Sequence, residues 1–149
     1  MRSQGGIQLE VKADWIRMFD YDLWSNLKWF PLCAEEPFRS VMSHVIRTQI
    51  IWLERCGGPH RFDADDPYDL VEAICLAWQA HLDEADLDET VHYVNNIGIK
   101  QSNSRLDIVR QVINHGTYHR GQIRAMVEMA GQTNFPDTDY LIFLADPRN

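Results

Sequence analysis

The amino-acid sequence predicts an all-α protein, an up-and-down bundle of four helices with a short β-hairpin before the last one. Three observations carry that reading. Four stretches repeat apolar residues at helical spacing, proline or glycine punctuates the gaps between them, and one β-rich segment surrounds an Asn-Asn pair. With 149 residues and 45% hydrophobic content the chain is long enough for one sizeable core, so a single domain is expected over residues 13–149. Residues 1–12, which open Met-Arg-Ser-Gln-Gly-Gly, are expected as a loose tail.

The first helix is expected from Ala13 to about Cys33, a stretch with no Gly or Pro until Pro31 stops it. Trp15, Ile16, Phe19, Leu23, Trp24, Leu27 and Phe30 fill more than half of its wheel, which implies burial on two sides, one of them against a second subunit. Pro37 and the closing Gly57-Gly58-Pro59 bracket a second helix over 37–56, with Val41, Val45, Thr48 and Trp52 as its inner face. Asp66-Pro67 opens a third, whose apolar face is Leu70, Ile74, Ala77, Trp78 and Leu82, and which fades in the acidic run Asp83 to Glu89. Thr90 to Lys100 predicts two short strands: Val91, Tyr93 and Val94, a turn at Asn95-Asn96, then Ile97-Gly98-Ile99. Ser104 caps the fourth and longest helix, Arg105 to about Ala130, which Gly131 ends. The apolar tail, Asp139 to Ala145, is expected to pack back as a strand or short helix. These elements make an up-and-down bundle without internal repeats.

Charge and composition exclude several classes. A formal net charge of -8, from 14 basic and 22 acidic residues, repels a phosphate backbone, so nucleic acid is not an expected partner. No apolar run is long enough to span a bilayer, and the start, Met-Arg-Ser-Gln-Gly-Gly, lacks the apolar core expected of a secretory signal. Cys33, Cys56 and Cys75 are odd in number and widely spaced, which fits free thiols in a cytoplasmic protein.

The chemistry-bearing residues are histidines. His115 and His119, four residues apart, place two imidazoles on one face of the fourth helix. At roughly 100 degrees per residue they fall close to the line through Ile108, Val112 and Met126, so they are expected to point inward. A metal ion satisfies one ring nitrogen of each in such a core. His44, beside Val41, Val45 and Thr48, is placed to supply a third nitrogen from the second helix. Three protein ligands leave an open position, as a working site requires, whereas a structural zinc is closed by a fourth. Three imidazoles alone suit zinc, nickel, copper and iron alike. His60, His81 and His92 lie in or beside polar stretches and are expected at the surface, and Arg120 is expected to point outward. Asp22 and Gln122 are the nearest general-base candidates by helical phase.

Rival motifs are missing. A carboxylate-bridged di-iron site needs paired Glu-x-x-His segments, and the one present, Glu89 to His92, lies in the hairpin. There is no His-Glu-x-x-His, phosphate-cradling loop, dinucleotide fingerprint or nucleophile elbow. Cys56 and Cys75 occupy helical positions where a buried thiol is the ordinary reading.

The string His115-Gly-Thr-Tyr-His119-Arg-Gly121-Gln122, the lone His44 followed by Trp52-Leu53, the segment Tyr21-Asp-Leu-Trp24-Ser-Asn26 and the tail Asp139-Tyr140-Leu-Ile-Phe-Leu144 together resemble the DinB/YfiT-like family of metal-dependent proteins. The resemblance runs from about Ala13 to Leu144. It implies a four-helix bundle, often a homodimer, with a divalent ion such as nickel or zinc held by one histidine of the second helix and two of the fourth, here His44, His115 and His119. Some relatives use a low-molecular-weight thiol as co-substrate, among them thiol transferases and maleylpyruvate isomerases.

The expected function is therefore that of a metal-dependent enzyme, either a thiol-dependent transferase or a hydrolase, acting on a small molecule. In both, an open coordination position activates a water or a thiol. The alternatives are a non-catalytic metal-binding or dimeric interaction module, and a structural bundle whose histidines are ordinary core residues.

Overall fold

The computed structural model describes residues 4–148 and is mostly helical, with five α-helices and one two-stranded antiparallel hairpin among those residues. In chain order they are α1 (Gln4–Trp29), α2 (Phe38–Arg55), α3 (Pro67–Glu84), β1 (Thr90–Val94), β2 (Lys100–Ser104), α4 (Arg105–Met129) and α5 (Tyr140–Ala145), with a 3-10 turn, Phe30–Cys33, after α1. No helix among the described residues is long and apolar enough to cross a membrane.

The first helix departs from expectation at both ends. It begins at Gln4, so residues 4–12, expected as loose tail, are helical, and residues 1–3 lie outside the described residues. Packing explains the extension: Val11 leans on the core, and the Lys12 ammonium donates to the Asp83 carbonyl at the end of α3, 3.1 Å away. At the other end Pro31, which has no N–H to donate, turns the last residues into the 3-10 segment.

The remaining helices start and stop where their punctuation dictates. The Asp66 side chain accepts from the Tyr68 N–H at 2.7 Å and Pro67 follows it into α3; the Ser104 hydroxyl accepts from the Asp107 N–H at 3.1 Å to open α4. Gly131, with φ of 83°, takes the left-handed conformation after α4.

The hairpin's second strand lies further along than expected. The Asn95 side-chain oxygen accepts from the N–H groups of Ile97 and Ile99, and Gly98 adopts a φ of 81°, so Ile97-Gly98-Ile99 is the turn rather than the strand. Pairing then runs Thr90 opposite Ser104 through Val94 opposite Lys100, and β2 leads directly into α4.

α1 lies against α3 and α4, and α2 against α4. Between them sit Phe19, stacked on Trp78 at 5.1 Å, with Val45, Leu53, Ile74, Val109, Val112 and Ile123 fully buried. Each such side chain contributes about 1.5–3 kcal/mol of burial. The inner face of α2 is Met42, Val45, Gln49 and Leu53, rotated by about a residue from the expected one; Val41, Thr48 and Trp52 are only partly buried. The second apolar side of α1 is covered in part by the chain's own end: α5 brings Phe143 against Tyr21 and Trp24, both at 5.7 Å, and the Trp24 indole donates to Asp146. The expected tail is thus a short helix.

Candidate metal centre

The packing of α2 on α4 brings His44 to His115 and His119. The Nε2 atoms of His44 and His115 are 3.1 Å apart, as are those of His119 and His115, and all three lie within 4.8 Å of one another. This group could hold a metal ion. Two imidazoles bound to one zinc at 2.0–2.1 Å stand about 3.3 Å apart at a tetrahedral angle, close to both 3.1 Å separations. The donor set suits a transition metal: three ring nitrogens from two helices converge.

The cluster sits at the rim of the helix pair rather than within the core, which corrects the expected inward orientation. His44 is exposed and the other two are half-buried. The buried line of α4 runs Arg105, Val109, Val112, Gly116, Arg120, Ile123 and Val127, and each histidine is one residue off it, a rotation of roughly 100 degrees. Met126, used as a marker of the apolar centre, is only partly buried.

Burial, and then the neighbouring His119 and His44, push the His115 imidazole down to about 4. His44 is lowered as well, by burial first and then by His119 and Arg47. Both rings are therefore neutral near pH 7, the form that offers a lone pair. The Gln122 side-chain oxygen lies 2.8 Å from His119 Nδ1, where it can accept a hydrogen bond, and Nε2 of His119 faces the cluster. Gln122, expected as a possible base, instead contacts the His119 ring.

Directly beneath the histidines lies a buried polar network that the sequence reading missed. Arg120, expected to point outward, is 3% exposed and donates from Nη1 to Asp22 at 2.6 Å and to Asn26 at 2.8 Å. The other oxygen of Asp22 accepts from Asn26 at 3.1 Å and from Gln49 at 2.5 Å. Asp22 is thus fully engaged in the core and is not placed to act as a base. The signal for this network was Gly116: a Cβ there would stand 2.6 Å from Asp22 and 3.0 Å from Arg120. A helix-interior glycine, destabilising by about 1 kcal/mol relative to alanine, marks such a close approach.

The other titratable groups do not join the centre. His81 is half-buried rather than a surface residue; its Nε2 accepts from Arg105 at 2.9 Å, and burial followed by the Arg105 charge lowers its pKa. Arg105 also pairs with Glu89. Cys33, Cys56 and Cys75 are free and buried, their thiols pushed up to about 11, 11 and 12 chiefly by burial, which removes them as nucleophiles. A cleft of 480 Å³ opens from His44 and His115 along α2 toward the hairpin.

The DinB family model matches residues 10–148. Protein DinB of Bacillus subtilis (strain 168) is 24% identical over 159 aligned residues, covering 86% of this chain and 92% of that protein. No solved structure matches the chain.

Proposed function

This chain belongs to the DinB family, and from that premise we propose that His44, His115 and His119 hold one divalent transition-metal ion, nickel or zinc, in an enzyme that transfers a thiol or hydrolyses a small molecule. The observation that carries the reading is the convergence of three imidazoles from two helices at the mouth of an open cleft. When bound there, the ion supplies Lewis-acid activation of a water or a low-molecular-weight thiol at the position three protein ligands leave free.

The chain's own groups do the arranging. Gln122 fixes the tautomer and ring plane of His119. The Arg120–Asp22 pair, with Asn26 and Gln49, ties α4 to α1 and α2 just below the ligands, and so sets the spacing between the two helices that carry them. The cleft admits substrate from one side while the packed core closes the other. In this reading the helices form an up-and-down four-helix bundle within a single domain, and the protein works in the cytoplasm as a homodimer.

Elemental analysis of untagged protein tests the centre. About one equivalent of transition metal per chain is expected, absent in His119→Ala, together with turnover on a panel of thiols, electrophiles and esters that depends on the same residue. Protein that neither copurifies with nor reloads such a metal overturns the proposal.

A further inference from the structure

The cleft beside the metal centre has a lining at odds with the rest of the molecule. The chain carries 22 acidic residues and a net charge of -8, yet no Asp or Glu lines this cleft. At the end near the hairpin stands Arg55, its guanidinium 4.5 Å from the Trp52 ring and 5.0 Å from the Tyr93 ring. Those rings meet edge to face at 5.0 Å, so the cation lies against two fixed aromatic walls. Among the described residues only its Nη2 is engaged, donating to the Val94 carbonyl at 3.2 Å and to the Asn96 side-chain oxygen at 3.1 Å. Both acceptors are neutral. No carboxylate among the described residues forms an ion pair with Arg55, the arginine that lines this cleft.

An arginine held in place by rings and neutral oxygens keeps its charge and its remaining N–H groups for something else, and the guanidinium fork suits a carboxylate. We propose that Arg55 anchors the carboxylate of an elongated small-molecule substrate whose reacting end lies at His44 and His115. The inference rests on the metal-centre reading and names the substrate class of that site. Length follows from the helix: His44 and Arg55 are eleven residues apart on α2, about 16 Å along its axis at 1.5 Å per residue. A molecule that touches both ends is extended, with its middle against Trp52 and Ile51, and acetate-sized anions reach only one end.

Calorimetric titration of zinc-loaded protein with straight-chain dicarboxylates, from succinate to decanedioate, and with octanoate tests this. Binding is expected to tighten with chain length, so that the longer diacids exceed succinate and octanoate by about tenfold or more. Arg55→Met removes that advantage and Arg55→Lys keeps part of it. Arg39→Met, which removes a cation from the start of the same helix outside the cleft, stays within about threefold of the parent and so separates anion reading at Arg55 from a change in net charge. Equal diacid affinity in Arg55→Met and the parent, or no binding by any of these acids, overturns the proposal. Failure of zinc to load overturns the metal reading alone, since Arg55-dependent binding of octanoate to metal-free protein still decides this one.

Discussion

Two adjacent lines along α4 behave as opposites. His115 and His119 are half-buried and meet His44 at the rim; Gly116 and Arg120, each one residue further, look into the core, where both carboxylate oxygens of Asp22 have partners. One short string therefore carries two jobs, separated by the rotation of a single residue. The buried line sets where α1, α2 and α4 stand, and the exposed line uses the resulting spacing. Damage to the first should appear as lost stability, and damage to the second as lost binding in a protein that still folds.

The sharpest separation comes from Arg120→Met. Removing one partner of a buried pair leaves an uncompensated charge, at a cost of about 3–5 kcal/mol. For a chain of this length that lowers Tm by roughly 10 °C. Adding Asp22→Asn is expected to recover part of the loss, because the stranded carboxylate is gone. Thermal melts of the two variants check both statements, and a double variant less stable than the single one would break the assignment of the buried line. Gly116→Ala comes next. The new methyl would stand 2.6 Å from Asp22, and overpacking of this kind costs about 1–3 kcal/mol, although alanine is otherwise the better helix residue. A Gly116→Ala protein as stable as the parent would show that the network has room to give.

On the exposed line the expected effects move from stability to binding. Gln122→Ala leaves His119 without the acceptor for its Nδ1 proton, and loss of such an orienting partner typically weakens metal binding by about 10–100-fold. Competition with a chelator of known affinity measures this, and an unchanged constant would mean that the glutamine contact is incidental.

Much of this division was legible in advance, and the remainder was hidden for physical reasons. Pro31, Pro37, Asp66-Pro67, Ser104 and Gly131 located helix ends because each acts through its own local geometry. The polar second strand, Lys100–Ser104, has no buried face to betray it, exposed as it is nearly throughout, and only the Asn95 side chain decides where the turn ends. The spacing of His115 and His119 and the place of His44 beside Val45 single out the three histidines that the fold brings together, but not their depth, because the apolar centre of α4 runs through Gly116 rather than through Met126. Charged residues are seldom buried, so Arg120 was assigned to solvent. Its partner, Asp22, lies 98 residues away in the chain, and only packing of α4 on α1 reveals it.

The smallest expected change is also the one that tests the comparison most directly. In metal-free protein, His119→Ala deletes a half-buried ring whose polar contacts are His115 and Gln122, both at the rim. No core side chain loses a hydrogen bond, and water can reach the polar groups left behind, so stability should shift by no more than about 0.5 kcal/mol, as for ordinary surface substitutions. The parent should gain in Tm when zinc is added, since a ligand that binds only the folded state stabilises it by mass action, and His119→Ala should not. Melts with and without zinc therefore read both lines of α4 in one experiment. A metal-free His119→Ala protein that melts as low as Arg120→Met would mean that the histidines hold the fold together, and the separation of the two lines would fail.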